Sequence, residues 1–339
     1  MNKRINEKRN MRIYLMLAFL LCLLLGVVLA VCVGKYSVTP WESLRVLFGR
    51  SDGIPQMTIN VVIGLRVPRI FASILVGAAL SVSGAVYQGV FKNPLVSPDY
   101  LGVTGGACVG AALGILMSLG TAYISIFAFI GGVVAMCLTM SIPALLHNNA
   151  NIMLVLSGVI VGAAMSSVLG FIKYIADPDS QLASIVYWTM GSFGYVTFRE
   201  VLIMLPIIVI PIIVLLSLSY RIDVLSMGED DAKTLGANVT LIRGIALGCA
   251  TLLTAASVSI AGTIGWIGLI IPHLGRMLIG PSNKYLLPLS ALMGGLFLLA
   301  VDTVTRTISM TEMPVSILTG ALGVPFYCWL LYKQRKTLL

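Results

Sequence analysis

The stretch GTIGWIGLIIPHLGRMLIG, residues 262–280, is almost entirely apolar, yet it contains a Pro-His pair and an arginine. Proline interrupts the hydrogen bonds of a helix, and an ionisable side chain is expensive to place in lipid. Irregular backbone and polar groups are tolerated at membrane depth where protein or a water-filled path surrounds them. The stretch therefore predicts a short span that is packed inside a bundle of helices.

The rest of the chain has the composition of a polytopic membrane protein. Of its 339 residues, 58% are hydrophobic and 10% are charged, and a soluble chain of this size could not bury so much apolar surface. Apolar runs and their breakers predict about ten spans. These lie at 13–34, 62–90, 100–116, 121–145, 151–174, 200–219, 240–261, 269–280, 285–306 and 315–332. We expect an all-α membrane protein in which residues 1–339 form a single transmembrane domain.

The positive charge of the chain is explained by topology. The net charge is +9, but the basic residues lie at span ends and form no patch between aromatic residues, which argues against a nucleic-acid partner. Most of the 22 Lys and Arg residues fall on one side when both termini are placed in the cytoplasm. Residues 13–34 are long enough to be a retained signal anchor. The predicted location is therefore a cell membrane, with lipid around the spans.

Motifs for covalent chemistry or metal binding are missing from the sequence. It contains two histidines, His147 and His273, and no HExxH, GxSxG or GxGxxG motif. The six cysteines fall inside apolar runs without a CxxC pair, which favours small hydrophobic residues over a disulfide framework or a metal site. We expect no enzymatic activity and no cofactor in this chain, so any ATP and magnesium would be bound by a partner ATPase.

Two patterns predict contacts within and beyond the bundle. Gly102, Gly106, Gly110 and Gly114 form a ladder at four-residue spacing, which predicts close helix packing. The longest polar interruption is the predicted cytoplasmic loop at about 220–243, in which 226–235 has the pattern of one short amphipathic helix that stops at Gly236. This loop is either a solvated connection or a docking element for a cytoplasmic partner.

Four separated motifs resemble the FecCD family of permease subunits. The longest is GLRVPRIFASILVGAALSVSGAVYQGVFKNPLVSPDYLG, residues 64–102. Residues 265–276 follow with Gly-Trp-Ile-Gly-Leu, Pro-His and Arg, and 286–306 and 312–331 continue the match. The family comprises ABC importers for ferric siderophores, haem and cobalamin, and the chain is similar to the cobalamin importer membrane subunit. The resemblance implies about ten transmembrane helices per subunit in a bacterial cell membrane.

The resemblance also implies partners. A second copy of the chain, or a close paralogue, would complete a central pathway. Cytoplasmic ATPase subunits would bind beneath it, and a periplasmic or lipoprotein substrate-binding protein would dock above it. The substrate implied is an iron chelate, most simply a ferric siderophore, with haem and cobalamin as alternatives within the family.

Site residues follow from the same motifs. The resemblance implies binding-protein docking at Arg66, Arg69 and Arg306. It implies an ATPase-coupling loop at Met227, Gly228, Ala232, Leu235 and Gly236, and a pathway gate at Asn93, Pro94 and Leu95. It also implies a structural motif formed by Pro272, His273 and Arg276.

An ion-coupled secondary transporter is the alternative from a different class. Such a protein needs a carboxylate or a histidine relay near the middle of the membrane. Of the few candidates, Asp302 is expected to be neutralised by Arg306 one helical turn later, and Glu312 is expected in an outer loop. The pattern therefore favours the importer subunit.

Overall fold

Fifteen α-helices occupy the part of the chain that the computed structural model describes, residues 2–50, 52–147, 151–236, 238–308 and 312–338. They are α1 (Asn2–Cys32), α2 (Pro40–Leu47), α3 (Gln56–Ile59), α4 (Val67–Val90), α5 (Val103–Leu116), α6 (Thr121–Leu145), α7 (Asn151–Ile175), α8 (Gln181–Thr189), α9 (Phe198–Ser217), α10 (Ser219–Met227), α11 (Glu229–Thr234), α12 (Val239–Ala261), α13 (Ile267–Ile279), α14 (Asn283–Ile308) and α15 (Val315–Leu338). A π-helical segment, Asn60–Arg66, joins α3 to α4, and a 3-10 turn, Pro98–Leu101, precedes α5. These ranges contain no strand.

Among the described residues, seven helical stretches are long and apolar enough to cross a membrane. They are Arg9–Cys32, Gln56–Val90, Thr121–Leu145, Ile152–Ile175, Phe198–Ser217, Val239–Ala261 and Asn283–Ile308. Three shorter apolar helices, α5, α13 and the first part of α15, occupy the other predicted spans. The prediction of about ten membrane helices is confirmed.

Helix α4 lies at the centre of the bundle. It packs against α14, α12, α13 and α9, and most of its residues are buried. Gly77 and Gly84 permit the closest approaches, since a methyl group on either would collide with the backbone carbonyl of Gly294 or Gly268. Backbone contact of this kind compensates for the absence of a hydrophobic drive between helices in lipid.

The glycine ladder packs α5 against α6, as predicted. A side chain at Gly106 would collide with the carbonyl of Gly131, and one at Gly110 with the carbonyl of Phe127. Gly102 instead ends the preceding 3-10 turn in a left-handed conformation with φ of 70°. The ladder is therefore a packing device in its middle and a turn at its start.

Helix α13, which contains the Pro-His pair, lies within the bundle. Its 13 residues extend only about 20 Å, which is shorter than the roughly 30 Å hydrocarbon core. Pro272 is buried inside the helix, and Trp266, at the N-cap, packs on Gly323 of α15. Neighbouring helices therefore cover the irregular backbone, as expected.

The polar loop differs from its prediction in one respect. Residues 226–235 do not form one helix, because Gly228 adopts an extended conformation (φ 157°, ψ 155°) that ends α10 and begins α11. Gly236 does terminate α11, with φ of 74°. The loop is thus an ordered pair of short helices rather than a single one.

Replacing Gly110 by alanine is expected to destabilise the subunit. The added methyl group collides with backbone in α6, and overpacking of this kind costs about 1–3 kcal/mol. Gly170→Ala in α7 is the matched control, because nothing lies within 4 Å of the new methyl group. Thermal unfolding in detergent should show a lower midpoint for Gly110→Ala and an unchanged or slightly higher one for Gly170→Ala. Equal midpoints would contradict the packing role.

Candidate functional site

Three arginines that are far apart in sequence converge at one end of the bundle, which we call the arginine end. Arg66, Arg69 and Arg306 line a cavity of about 190 Å³, together with Lys35 and Glu312 among other residues. The arginines are only 4%, 8% and 7% exposed. They are therefore built into the bundle and face this cavity.

Arg69 forms two ion pairs. Its Nε atom donates to Oδ1 of Asp302, and its Nη1 atom donates to Oε1 of Glu312, each at 2.8 Å. Asp302 is completely buried, whereas the side chain of Glu312 is 36% exposed. The expected pairing of Asp302 with Arg306 is wrong, because the packing of α4 along α14 sets Arg69 beside Asp302 while Arg306 turns towards α1.

Arg66 and Arg306 complete the C-terminal end of α1. Their guanidinium groups donate to the backbone carbonyls of Ala30, Val31, Cys32 and Tyr36. The last carbonyls of a helix lack partners within it and carry the negative end of its dipole, so cations are favourable there. Because Gly34 has no side chain, the Arg66 guanidinium can lie directly against it. The two arginines thus fasten the first span to α4 and α14.

This geometry qualifies the docking prediction without testing it. Arg66 is the last residue of the π-helical segment and Arg69 lies in the first turn of α4, so the regular spacing of an α-helix does not relate the two side chains. Both side chains nevertheless reach the same cavity. In the described part of the chain, the three guanidinium groups of this cluster face two carboxylates, so the arginine end keeps a positive excess that would attract an acidic partner.

The opposite end of the bundle, which we call the loop end, contains a cavity of about 340 Å³. Its lining brings together Asn93 and Pro94 of the predicted gate, Ser226 of α10 and Arg276 of α13. Leu95 lies beside this lining, 46% exposed, and its N–H donates to the Asn93 side chain at 2.9 Å. The gate segment, the loop predicted to contact an ATPase and the Pro-His-Arg helix therefore meet in one place.

The predicted coupling residues divide into exposed and buried groups. Met227 and Leu235 are 66% and 65% exposed, so both apolar side chains are accessible at the loop end. Ala232 is fully buried in a small core with Val224 and Leu225. Ala232 therefore supports the segment from inside, and Met227 and Leu235 are the side chains that a partner could touch.

Asp223 of α10 forms a contact with the start of α14 that the sequence did not reveal. Its carboxylate accepts from the Ser282 hydroxyl at 3.1 Å, from the Asn283 backbone N–H at 2.8 Å and from the Asn283 side chain at 2.7 Å. An acidic group at a helix N-terminus is stabilising, so Asp223 fixes α10 to the first residue of α14. The partners are separated by about 60 residues, and no local pattern marks the pairing.

The remaining motif residues, His273 and Arg276, lie among side chains of the bundle. The ring of His273 is half-buried and lies 6.3 Å from the ring of Phe326 in α15. Arg276, in the last turn of α13, lines the loop-end cavity. No group of three or more His, Cys, Asp or Glu side chains that could hold a metal ion occurs among the described residues.

A bundle of long apolar helices with its charged side chains gathered near the helix ends is the architecture of a multi-span membrane protein. Residues 22–333 match the profile of the FecCD transport family. The chain belongs to this family, and it is the permease of an ABC importer.

Relatives of known name carry different cargoes. The chain is 36% identical over 320 residues to the molybdate import system permease protein MolB of Haemophilus influenzae (93% of this chain, 94% of that protein). It is 37% identical over 321 residues to an iron chelatin transport system permease protein of Helicobacter pylori (93% and 97%). It is 39% identical over 300 residues to the cobalamin import system permease protein BtuC of Halobacterium salinarum (87% and 80%).

A solved structure supports the same fold. The chain is similar to a metal-chelate type ABC transporter in an inward-facing conformation, with a TM-score of 0.84 and 35% sequence identity, over 94% of this chain and 98% of that one. The fold and the family are therefore established together, and they select the ABC importer over the secondary transporter.

Removing one partner of the buried ion pair is expected to destabilise the subunit more than removing both partners. Asp302→Leu leaves the Arg69 guanidinium buried without its inner carboxylate, and losing one partner of a buried pair costs about 3–5 kcal/mol. The double variant Arg69→Leu/Asp302→Leu removes both charges, so its unfolding midpoint in detergent should lie above that of Asp302→Leu. A double variant that is less stable than the single one would contradict this prediction, because Arg69 would then be favourable even without Asp302.

Proposed function

We propose that this chain is the membrane-spanning subunit of an importer for an iron chelate, specifically a ferric siderophore. Two observations support this cargo. An iron chelatin permease is among the relatives that match nearly the full chain, and the similar solved structure is of metal-chelate type. Molybdate, haem and cobalamin are the competing cargoes, since relatives carry those names.

The observation that carries the mechanism is the separation of the two polar ends. The arginine end has buried cations and an accessible carboxylate, and the loop end has a cavity between the gate segment and α10. Helix α14 connects the two ends. Its first residue, Asn283, is bonded to Asp223 of α10 at the loop end, and its last turns carry Asp302 and Arg306 at the arginine end. Its 26 residues extend about 39 Å. A displacement at one end therefore reaches the other through a single helix.

Partners act at these ends in the proposed mechanism. A substrate-binding protein on the outer side delivers the chelate to the arginine end, where its carboxylates meet Arg66, Arg69 and Arg306. A separate ATPase on the cytoplasmic side contacts Met227 and Leu235. ATP binding there moves α10, and through Asp223 and the gate segment at Asn93–Leu95 it alternates access to the pathway.

The pathway itself is completed by a second permease copy. Helix α15 supports this proposal, because it exposes apolar side chains along its length, including Leu322, Val324 and Trp329. Spans near the C-terminus are therefore the proposed interface of a homodimer. Both termini lie in the cytoplasm in this arrangement, within a bacterial cell membrane.

Uptake into proteoliposomes tests the proposed cargo. The permease is reconstituted with the ATPase and binding protein of its own system, and ATP-dependent uptake is measured for ferric hydroxamate and catecholate siderophores, haem, cobalamin and molybdate. Saturable uptake of a ferric siderophore in preference to the others is expected. Preferential uptake of any other cargo would contradict the siderophore assignment and leave the permease assignment intact.

The coupling contact is tested at Leu235. Leu235→Ser removes an exposed apolar side chain without straining the backbone, so the subunit should fold normally while stimulation of ATP hydrolysis by the loaded binding protein falls by on the order of tenfold. Met117→Ser is the control, because Met117 is 60% exposed and caps the far end of α5. Normal stimulation in Leu235→Ser, measured as ATPase rate with and without binding protein, would place the ATPase contact elsewhere.

A further inference from the structure

Glu312 occupies an unusual position for a carboxylate at the arginine end. It lies directly before α15 and is bonded to Arg69 at 2.8 Å, yet over a third of its side chain is exposed. The Tyr187 hydroxyl donates to its backbone carbonyl at 3.4 Å. Gly194 has no side chain to obstruct its second carboxylate oxygen, which lies where a Cβ atom would be. Glu312 is therefore seated in a specific place at the rim of the cavity.

The two carboxylates on Arg69 are not equivalent. Asp302 is completely buried on α14, so releasing it would leave an unpaired charge inside the bundle, which is strongly unfavourable. Glu312 is at the exposed edge, where water can take over its hydrogen bonds at little cost. If one carboxylate exchanges with an outside group, it is Glu312.

An outside carboxylate can take the Nη1 position of Arg69 only by displacing Glu312. Arg69 is 8% exposed, and the Nη1 edge that points away from Asp302 is the edge that Glu312 occupies. Arg66 and Arg306 are bonded to backbone carbonyls of the α1 end, and neither forms a close ion pair with a carboxylate in the described part of the chain. An acidic partner would thus be attracted to the cluster and would find one of its three positions already filled.

We propose that Glu312 is an internal stand-in for an acidic side chain of the docking partner, and that docking proceeds by carboxylate exchange at Arg69. The partner's carboxylate takes the Nη1 edge, and Glu312 turns into solvent. This inference rests on the proposed docking at the arginine end. The fork of a guanidinium suits the exchange, because it offers the incoming carboxylate the same donor geometry that Glu312 leaves.

The exchange would connect docking to α15. The backbone around the start of this helix is bonded to the loop after α8, with Val315 N–H donating to the Gly191 carbonyl at 2.9 Å and the Ser316 hydroxyl donating to the Met190 carbonyl. The ion pair of Glu312 with Arg69 connects the same segment to α4. When Glu312 leaves Arg69, the segment before α15 loses this ion pair to the central helix, while Val315 stays packed in the apolar cluster that includes Ala72 and Val76 of α4.

Removing the charge of Glu312 should strengthen docking, which is the opposite of what damage to the site would do. Glu312→Gln keeps the shape of the side chain but competes weakly for Arg69. The dissociation constant for the system's own binding protein, measured by surface plasmon resonance on the purified permease–ATPase complex at low salt, is expected to fall about fivefold to tenfold. The association rate constant should rise at the same time.

Glu42→Gln is the matched control, because it removes the same charge from the segment between α1 and α3. Glu42 is in the capping box of α2, and glutamine serves at that position as well. The control should bind like the unaltered protein. An equal gain in both variants would reduce the effect to long-range charge and overturn the exchange.

Arg66→Gln separates the two levels of the proposal. If Arg66→Gln weakens binding while Glu312→Gln leaves it unchanged or weaker, docking at the arginine end stands and the exchange is wrong. If Arg66→Gln binds normally in a subunit with an unaltered unfolding midpoint, docking at the arginine end is itself wrong, and the exchange falls with it. A gain in Glu312→Gln together with a loss in Arg66→Gln supports both.

Discussion

The ion pair between Arg69 and Asp302 is the constraint around which the arginine end is organised. Both groups are almost fully removed from solvent, and two charges taken out of water are tolerable only when each faces an opposite charge at close range, as Arg69 and Asp302 do at 2.8 Å. The pair therefore fixes the register of α4 against α14. The glycine contacts between Gly77 and Gly294 hold the same two helices at backbone distance deeper in the bundle.

The other features of this end follow from that register. With Arg69 turned to Asp302, Arg306 is directed to the end of α1, where it joins Arg66 in completing the last carbonyls of the first span. The first span is otherwise weakly embedded, since most of its apolar side chains face outward. Arg66 and Arg306, which hold the end of α1, are thus also cations that an acidic partner would meet. A structural role and a docking role are therefore compatible in the same side chains.

The sequence predicted the spans and the glycine packing well and the polar contacts between helices poorly, for different physical reasons. Lipid demands long apolar helices, so hydropathy located all ten to within a few residues, including the short α13 with its Pro-His pair. The pairing of Arg69 with Asp302 and Glu312 joins residues more than 230 positions apart, and local spacing instead suggested the neighbour one turn away. Asp223 was missed for the same reason. The glycine at 228 is visible in the sequence, but the break between α10 and α11 that it forms was not predicted, since a glycine within a helical pattern does not always interrupt it.

The most direct test of carboxylate exchange around a fixed ion pair is a structure of the permease–ATPase complex determined with and without its binding protein. We expect Arg69 and Asp302 to remain in contact in both states, near the 2.8 Å found in the isolated subunit, while an acidic side chain of the binding protein replaces Glu312 on Arg69 in the docked state. A docked complex in which Glu312 stays on Arg69, or in which Arg69 leaves Asp302, would contradict this mechanism.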